Sequence, residues 1–287
     1  MRWPPPADWP NAALSRQILC PPHRWHVQET RTGDTVLLLH GAGGSTHSFR
    51  DVIPLLAETF HVVAIDLPGQ GFTQLGARHR CGLQAMAEDV ERLCHHEGWA
   101  PAAIIGHSAG GALALRLSQK LLSPRGQPPK VVGINPALDH FQGIAGVLFP
   151  ALAKLLAAVP FTAQVFSRLS NRPDRVQSLI NGTGSKLDSN GLALYQRLVG
   201  DRDHADATLL MMAHWDLDTL LRDLGSVPAG TVFIVGENDA TVPPNVGEKA
   251  AARIPDARVI RLPGLGHLAH EEAPDVVVGH ILDFLSE

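Results

Sequence analysis

Cysteine is scarce. The 287-residue chain has three, Cys20, Cys81 and Cys94, with no C-x-x-C pair and no metal-ligand spacing, and an odd count fits poorly with a secreted disulfide framework. They are expected to be reduced thiols in a cytoplasmic protein that holds no metal. An excess of positive charge is missing too: 24 Lys and Arg stand against 28 Asp and Glu, a formal charge of −4. With no basic surplus to displace counterions from phosphates, nucleic acid is not an expected partner. The first residues, Met1-Arg2-Trp3-Pro4-Pro5-Pro6, lack the apolar run of about 7–15 residues that a signal peptide needs, so no export is expected. The most apolar stretch, 141–166, is broken by Pro150 and Pro160 and carries Lys154, and it fails as a spanning helix of about 20 residues. No internal repeat is visible.

What the chain does have is apolar residues, 45%, with only 18% charged, against roughly 25% charged in an ordinary domain. A well-buried sheet with some additional apolar surface follows. Short apolar runs recur at 36–39, 62–65, 102–105, 131–134, 232–235 and 258–260, with helical segments near 48–58, 82–97, 109–122, 244–253 and 274–286. Runs that are apolar on both faces belong to strands covered on both sides, and β alternating with α is the pattern of a doubly wound, mostly parallel sheet. An antiparallel strand is expected around Trp25-His26-Val27-Gln28. The alternation stops after Ile134 and resumes at Thr231. A break of that length is too long for a loop in a compact domain. It predicts a helical lid over 136–227, inserted into an α/β core of 1–135 and 228–287.

Gly106-His107-Ser108-Ala109-Gly110 lies between an apolar run and a helix. A G-x-S-x-G in that setting is the nucleophile elbow of the α/β-hydrolase fold: a serine on a strained turn, with flanking glycines because a β-carbon there would collide with the next strand or helix. The amide of Ala109, at a helix N-terminus, is placed to receive an oxyanion. A serine hydroxyl needs a base, and the base needs an orienting acid. Asp239 follows the strand at 231–235 and His267 the strand at 258–262, in the Ser, Asp, His order of this fold. Glu237 and His270 compete for the two roles. The short side chain of Asp239 and the tight loop at Gly266 favour Asp239 and His267, with His270 left to hold the loop or face solvent.

The second oxyanion donor is expected in His40-Gly41-Ala42-Gly43-Gly44, from the amide of Ala42, with Gly41 and Gly43 giving the loop close approach to substrate. This loop lacks the G-x-G-x-x-G order and the lysine of a phosphate site. Asp66 is expected to hold a turn over the glycines of Asp66-Leu67-Pro68-Gly69-Gln70-Gly71. His47 and His107 flank the pocket, as substrate contacts or as locally bonded side chains. Adjacent His95 and His96 point apart on a helix, so a metal site with Cys94 is not expected. In the predicted lid, the segment 144–161 with Phe149 is apolar on more than one face, and Met211 and Trp215 add soft and aromatic surface. These suit a hydrophobic small-molecule ligand, contact with a membrane surface, or ordinary packing. The chemistry needs no cofactor.

The chain resembles the magnesium-chelatase accessory proteins of bacteriochlorophyll biosynthesis, a branch of the α/β-hydrolases. The likeness runs through Trp9-Pro10-Asn11, Thr46-His47-Ser48, Asp66-Leu67-Pro68-Gly69, the elbow at 106–110, Leu148-Phe149-Pro150, Gly182-Thr183-Gly184-Ser185, Met211-Met212-Ala213-His214-Trp215 and Gly264-Leu265-Gly266-His267. Phe49 stands where tryptophan is expected and Gln70 where histidine is common. The resemblance implies a role beside insertion of magnesium into protoporphyrin IX, a porphyrin as the hydrophobic ligand, magnesium-chelatase subunits as partners, and peripheral membrane contact. It supplies no reaction. Three functions stay open: a serine hydrolase of the tetrapyrrole pathway, a non-catalytic carrier or chelatase partner with an idle triad, and a generic esterase or carbon–carbon hydrolase.

Overall fold

The structure, a computed structural model, describes residues 1–139, 172–228 and 230–287; the apolar segment 144–161 and Phe149 lie outside them. The strands are β1 (Ser15–Cys20), β2 (His23–Glu29), β3 (Thr35–Leu39), β4 (His61–Ile65), β5 (Ala103–His107), β6 (Lys130–Ile134), β7 (Thr231–Gly236) and β8 (Arg258–Leu262). They form one sheet in the order β1-β2-β4-β3-β5-β6-β7-β8. β3 to β8 are parallel, and β2 runs antiparallel to both neighbours.

The continuous apolar runs have a direct structural cause. Along β3, Val36 and Leu38 join the core on one face of the sheet while Leu37 and Leu39 join the core on the other, and β4, β5 and β7 divide in the same way. Side chains alternate with period two, so a strand covered on both faces needs an apolar residue at every position. Helices α2 (Leu83–Glu97), α3 (Ala109–Ser118) and α8 (Pro244–Ala251) cover one face, and α1 (Val52–Ala57) and α10 (Pro274–Ser286) the other. Between β6 and β7 the described residues form α4 (Pro173–Gly182), α5 (Ser189–Val199), α6 (Arg202–His214) and α7 (Asp218–Arg222); α9 (Ala269–Glu272) precedes α10. The starts of α5 and α6 are set by aspartates: Asp188 accepts from Gly191 N–H at 2.7 Å and Asp201 from His204 N–H at 2.9 Å, as N-caps do.

β1 is the strand that the apolar pattern misses. It lies at the sheet edge, pairs only with β2, and buries only Ile18 and Cys20, so its hydrophobic alternation is too short to read.

Asp66 directly follows β4 and holds the turn there, as expected. Its carboxylate accepts from Thr46 N–H at 2.7 Å and Phe72 N–H at 2.8 Å, and its Oδ2 lies 2.6 Å from His26 Nδ1. Gly71 has φ 53°, and a β-carbon there would stand 2.1 Å from Asp66 Oδ2. Burial pushes this carboxyl up, but the facing His26 and His40 and the amide donors outweigh it and hold it well below the usual range. A depressed folded-state pKa gives stability that is present above the unfolded value of about 3.9 and is lost as pH falls. Asp66→Asn is therefore expected to cost about 3 kcal/mol at pH 7. Urea midpoints of the variant should also fall less steeply than wild type between pH 5 and pH 2.

Candidate active site

The elbow is built by steric exclusion. Ser108 joins the end of β5 to α3 with φ 53° and ψ −118°, a region that costs a residue with a side chain about 1–3 kcal/mol. A β-carbon on Gly106 would stand 2.1 Å from Gly110 O, and one on Gly110 would stand 2.1 Å from Leu39 O at the end of β3. Only glycine at both sites lets the strand and helix approach closely enough to lift Ser108 from the sheet. The turn is pinned by Ser108 N–H donating to Ile134 O at 3.0 Å and by Ser108 O accepting from Gly111 and Ala137 N–H at 2.9 and 3.0 Å.

Asp239 and His267 meet at the same sheet edge. Asp239 Oδ2 lies 2.7 Å from His267 Nδ1 and accepts from Asn135 Nδ2 at 2.5 Å, while Oδ1 accepts from Thr241 and Val242 N–H, both at 2.8 Å. A carboxylate so engaged accepts the hydrogen bond that His267 Nδ1–H donates, which leaves Nε2 with a free lone pair as the proton acceptor. Of the two competing carboxylates, Asp239 makes this contact; Glu237 is exposed and lies 3.9 Å from Arg261.

Ser108 Oγ forms no hydrogen bond among the described residues. Its neighbour His107 links the two stretches of chain. His107 Nε2 lies 2.9 Å from His267 O, and the two rings are 4.8 Å apart. A carbonyl only accepts, so His107 Nε2–H donates. Burial, and then the facing His270 and His267, hold His107 well below the usual histidine range, which keeps it neutral.

On the other side of the serine, a β-carbon on Gly41 would stand 2.9 Å from Ser108 Cβ, so this glycine permits the close approach of the loop. Gly44 N–H closes the turn on Gly41 O at 3.1 Å and Gly43 N–H donates to Gln70 Oε1 at 2.7 Å, while the N–H of Ala42, an exposed residue, has no partner among the described residues. Ala109 is the first residue of α3, where N–H groups have no helical acceptor.

Of the remaining predicted pocket residues, the described ones, Gly43, His47, Met211 and Trp215, make no hydrogen bond or ring contact with Ser108 among the described residues. His47 bonds Ser45 Oγ at 2.7 Å and packs on Tyr195 with ring centroids 4.6 Å apart. Met211 is buried and accepts from Gln70 Nε2 at 3.1 Å, and Trp215 packs, half-buried, against the core. His270 is fully buried between His107 and Phe49, both ring nitrogens lack partners among the described residues, and burial lowers it to about 3. Of the two expected roles, holding the loop or facing solvent, burial rules out the second: a neutral imidazole fills the space.

Several site residues escaped sequence reasoning. Asn135 (φ 45°) donates to both Asp239 and Gly266 O (3.1 Å) and accepts from Gly236 N–H at 3.1 Å; its position directly after an apolar run at the same edge as Ser108 was the available signal. His204 accepts from Gly71 N–H at 3.0 Å through Nδ1, so its Nε2–H donates to Gly43 O at 3.1 Å. Burial lowers it to about 4. Glu271, four residues after His267, accepts from Arg50 at 2.5 Å and Tyr195 at 2.7 Å, and burial raises it to about 7 against the pull of Arg50. No group of three or more His, Cys, Asp or Glu among the described residues is arranged to hold a metal, and no helix among them is long and apolar enough to cross a membrane.

Comparison with known proteins gives the following. A family model described as alpha/beta hydrolase fold matches residues 34–274. The chain is 45% identical over 282 residues to the magnesium-chelatase 30 kDa subunit of Rhodobacter capsulatus, covering 98% of this chain and 97% of that one. It is 26% identical over 275 residues to a 2-hydroxy-6-oxo-6-phenylhexa-2,4-dienoate hydrolase of Burkholderia cepacia, covering 92% and 91%. Among solved structures, the ligand-free epoxide hydrolase CorEH superimposes with a TM-score of 0.78 at 22% identity, over 95% of this chain and 98% of that one. At that identity the likeness bears on fold alone.

Proposed function

Because the chain belongs to the alpha/beta hydrolase fold family and is closely related to the magnesium-chelatase 30 kDa subunit, we propose that it is a serine hydrolase acting beside magnesium insertion in bacteriochlorophyll synthesis. Ser108 Oγ attacks a carbonyl carbon of an ester or acyl compound while His267 Nε2 takes its proton. The Ala42 and Ala109 N–H groups receive the oxyanion. The imidazolium then returns the proton to the leaving group, and water drawn through the same base releases the acyl group. The substrate class is hydrophobic, with a porphyrin the favoured example. Residues 136–227 serve as the lid over a core of 1–135 and 228–287, and magnesium-chelatase subunits and a membrane surface are the proposed contacts.

The supporting observation is the Asp239–His267 bond at 2.7 Å inside a network that leaves Asp239 no free orientation. A second reading, a porphyrin carrier or chelatase partner with an idle triad, draws on the lack of a hydrogen bond to Ser108 Oγ among the described residues. Catalytic contacts are often long without substrate and tighten on binding, which favours the first reading. A fluorophosphonate probe at pH 8 is expected to label wild type once, at Ser108, and to leave Ser108→Ala unlabelled. Wild type that stays unlabelled while binding protoporphyrin IX in a fluorescence titration would transfer the case to the carrier.

A further inference from the structure

The turn between α4 and α5 sits between the two catalytic loops. It is rigid at its root: Thr183 N–H and Oγ1–H both donate to Ile180 O, at 3.0 and 2.7 Å, and Gly184 N–H donates to Asn181 O at 3.0 Å, so it continues the end of α4. From there Thr183 O accepts from Ala240 N–H at 3.1 Å and from His267 N–H at 3.3 Å. Ser185, fully buried, accepts through Oγ from Leu268 N–H at 2.8 Å. The fit is as close as backbone allows. Gly184 has φ 82°, a β-carbon on it would stand 1.8 Å from Asn238 O, and one on Gly266 would stand 2.3 Å from Gly184 C. Beyond the turn, Glu272 accepts from Gly266 N–H at 3.0 Å and from Lys186 N–H at 3.3 Å, closing the loop of contacts from the other side.

We propose that Thr183-Gly184-Ser185 is a positioning clasp that fixes the separation of the Asp239 and His267 loops. The proposal rests on the serine-hydrolase reading for its effect on rate, though not for its geometry. The loops touch each other directly through Asn238 N–H and Leu265 O at 2.9 Å and through Asn135. The clasp adds amide bonds at Ala240, next to the acid, at His267 itself, and at Leu268, next to the base. One carbonyl oxygen, that of Thr183, is shared by the two loops, so neither can shift along the sheet edge without the other. Among the described residues no clasp atom hydrogen-bonds Ser108, and the clasp acts only through the pair it holds. The same contacts explain the two glycines: a side chain at 184 would push the clasp off the acid loop, and one at 266 would push it off the base loop.

The test uses the full chain with Gly184→Ala and Ser185→Ala, each read in two ways. The first readout is the far-downfield proton signal of His267 Nδ1–H, which reports the bond to Asp239 whether or not the protein turns anything over. The second is kcat and KM on p-nitrophenyl butyrate, with the pH profile of kcat. Gly184→Ala is expected to lose or shift the proton signal and to lower kcat about 100-fold, the effect of roughly 1 Å of misplacement. Ser185→Ala, which orphans one buried amide, is expected to shift the same proton signal and to lower kcat roughly tenfold, with KM within about twofold and the acid limb of the profile displaced. If Gly184→Ala fails to fold, Ser185→Ala decides. An unmoved His267 signal and unchanged kcat in a folded variant would overturn the clasp. Wild type that keeps the proton signal but turns over no ester refutes the hydrolase reading alone, and the signal in the two variants then decides the clasp by itself.

Discussion

Ser108→Ala is expected to lower kcat on an activated ester by about 10⁴-fold or more while leaving the melting temperature within a few degrees of wild type. The first half follows from the proposed roles: without Oγ nothing in the elbow could attack, and only the two proposed backbone donors would remain to polarise the carbonyl. The second follows from the backbone. Alanine keeps a β-carbon, so the strain at φ 53° is neither relieved nor increased, and the bonds that pin the turn come from the main chain of residue 108. Steady-state kinetics with p-nitrophenyl butyrate, together with a thermal melt, measure both. Wild-type turnover by the variant would remove Ser108 from the reaction. Wild-type pigment levels in cells carrying it would remove the reaction from the pathway.

Asp239→Asn is expected to cost a similar factor, about 10⁴ in kcat, for a reason visible in its four hydrogen bonds. Oδ1 accepts from the Thr241 and Val242 amides, so the carbonyl oxygen of the new side chain must occupy that side. Its NH₂ group then faces Asn135 Nδ2 and His267 Nδ1. Asn135 cannot turn to accept, because its amide is held by Gly266 O and Gly236 N–H. The imidazole has one way to pair, with Nδ1 accepting and Nε2 carrying the proton, and in that tautomer it cannot take a proton from serine. The sign is therefore a lost base rather than a lost fold. The far-downfield Nδ1–H signal of His267 should vanish along with kcat, and its survival would contradict the tautomer argument.

The parts of this protein that could be read from sequence are those where one local requirement selects residue types. Val36 to Leu39 are apolar throughout because alternate residues serve opposite cores. Gly106 and Gly110 are glycine because backbone atoms occupy the space of a β-carbon. Ser108, Asp239 and His267 could be placed at one edge because each follows a strand of the same direction. What stayed hidden depends on residues far apart in the chain. Gln70 stands where histidine is common, and nothing local shows that its two ends join Gly43 to Met211. The Gly182-Thr183-Gly184-Ser185 motif reads as an ordinary turn until the loops at 238–240 and 266–268 are seen on either side of it. Glu271 and Glu272 next to His270 give no local sign that on the short α9 helix it faces Phe49 and His107 rather than solvent.

The three cysteines have a practical consequence for watching this molecule. All are buried and free, and burial raises every thiol, Cys81 to about 11 and Cys94 to about 12. At neutral pH they offer maleimide almost no thiolate. Leu179, half exposed on α4 one turn before the clasp, can therefore be replaced by cysteine in the otherwise unaltered chain and carry a single fluorophore. Such a dye would report directly on whether α4 moves when ligand arrives.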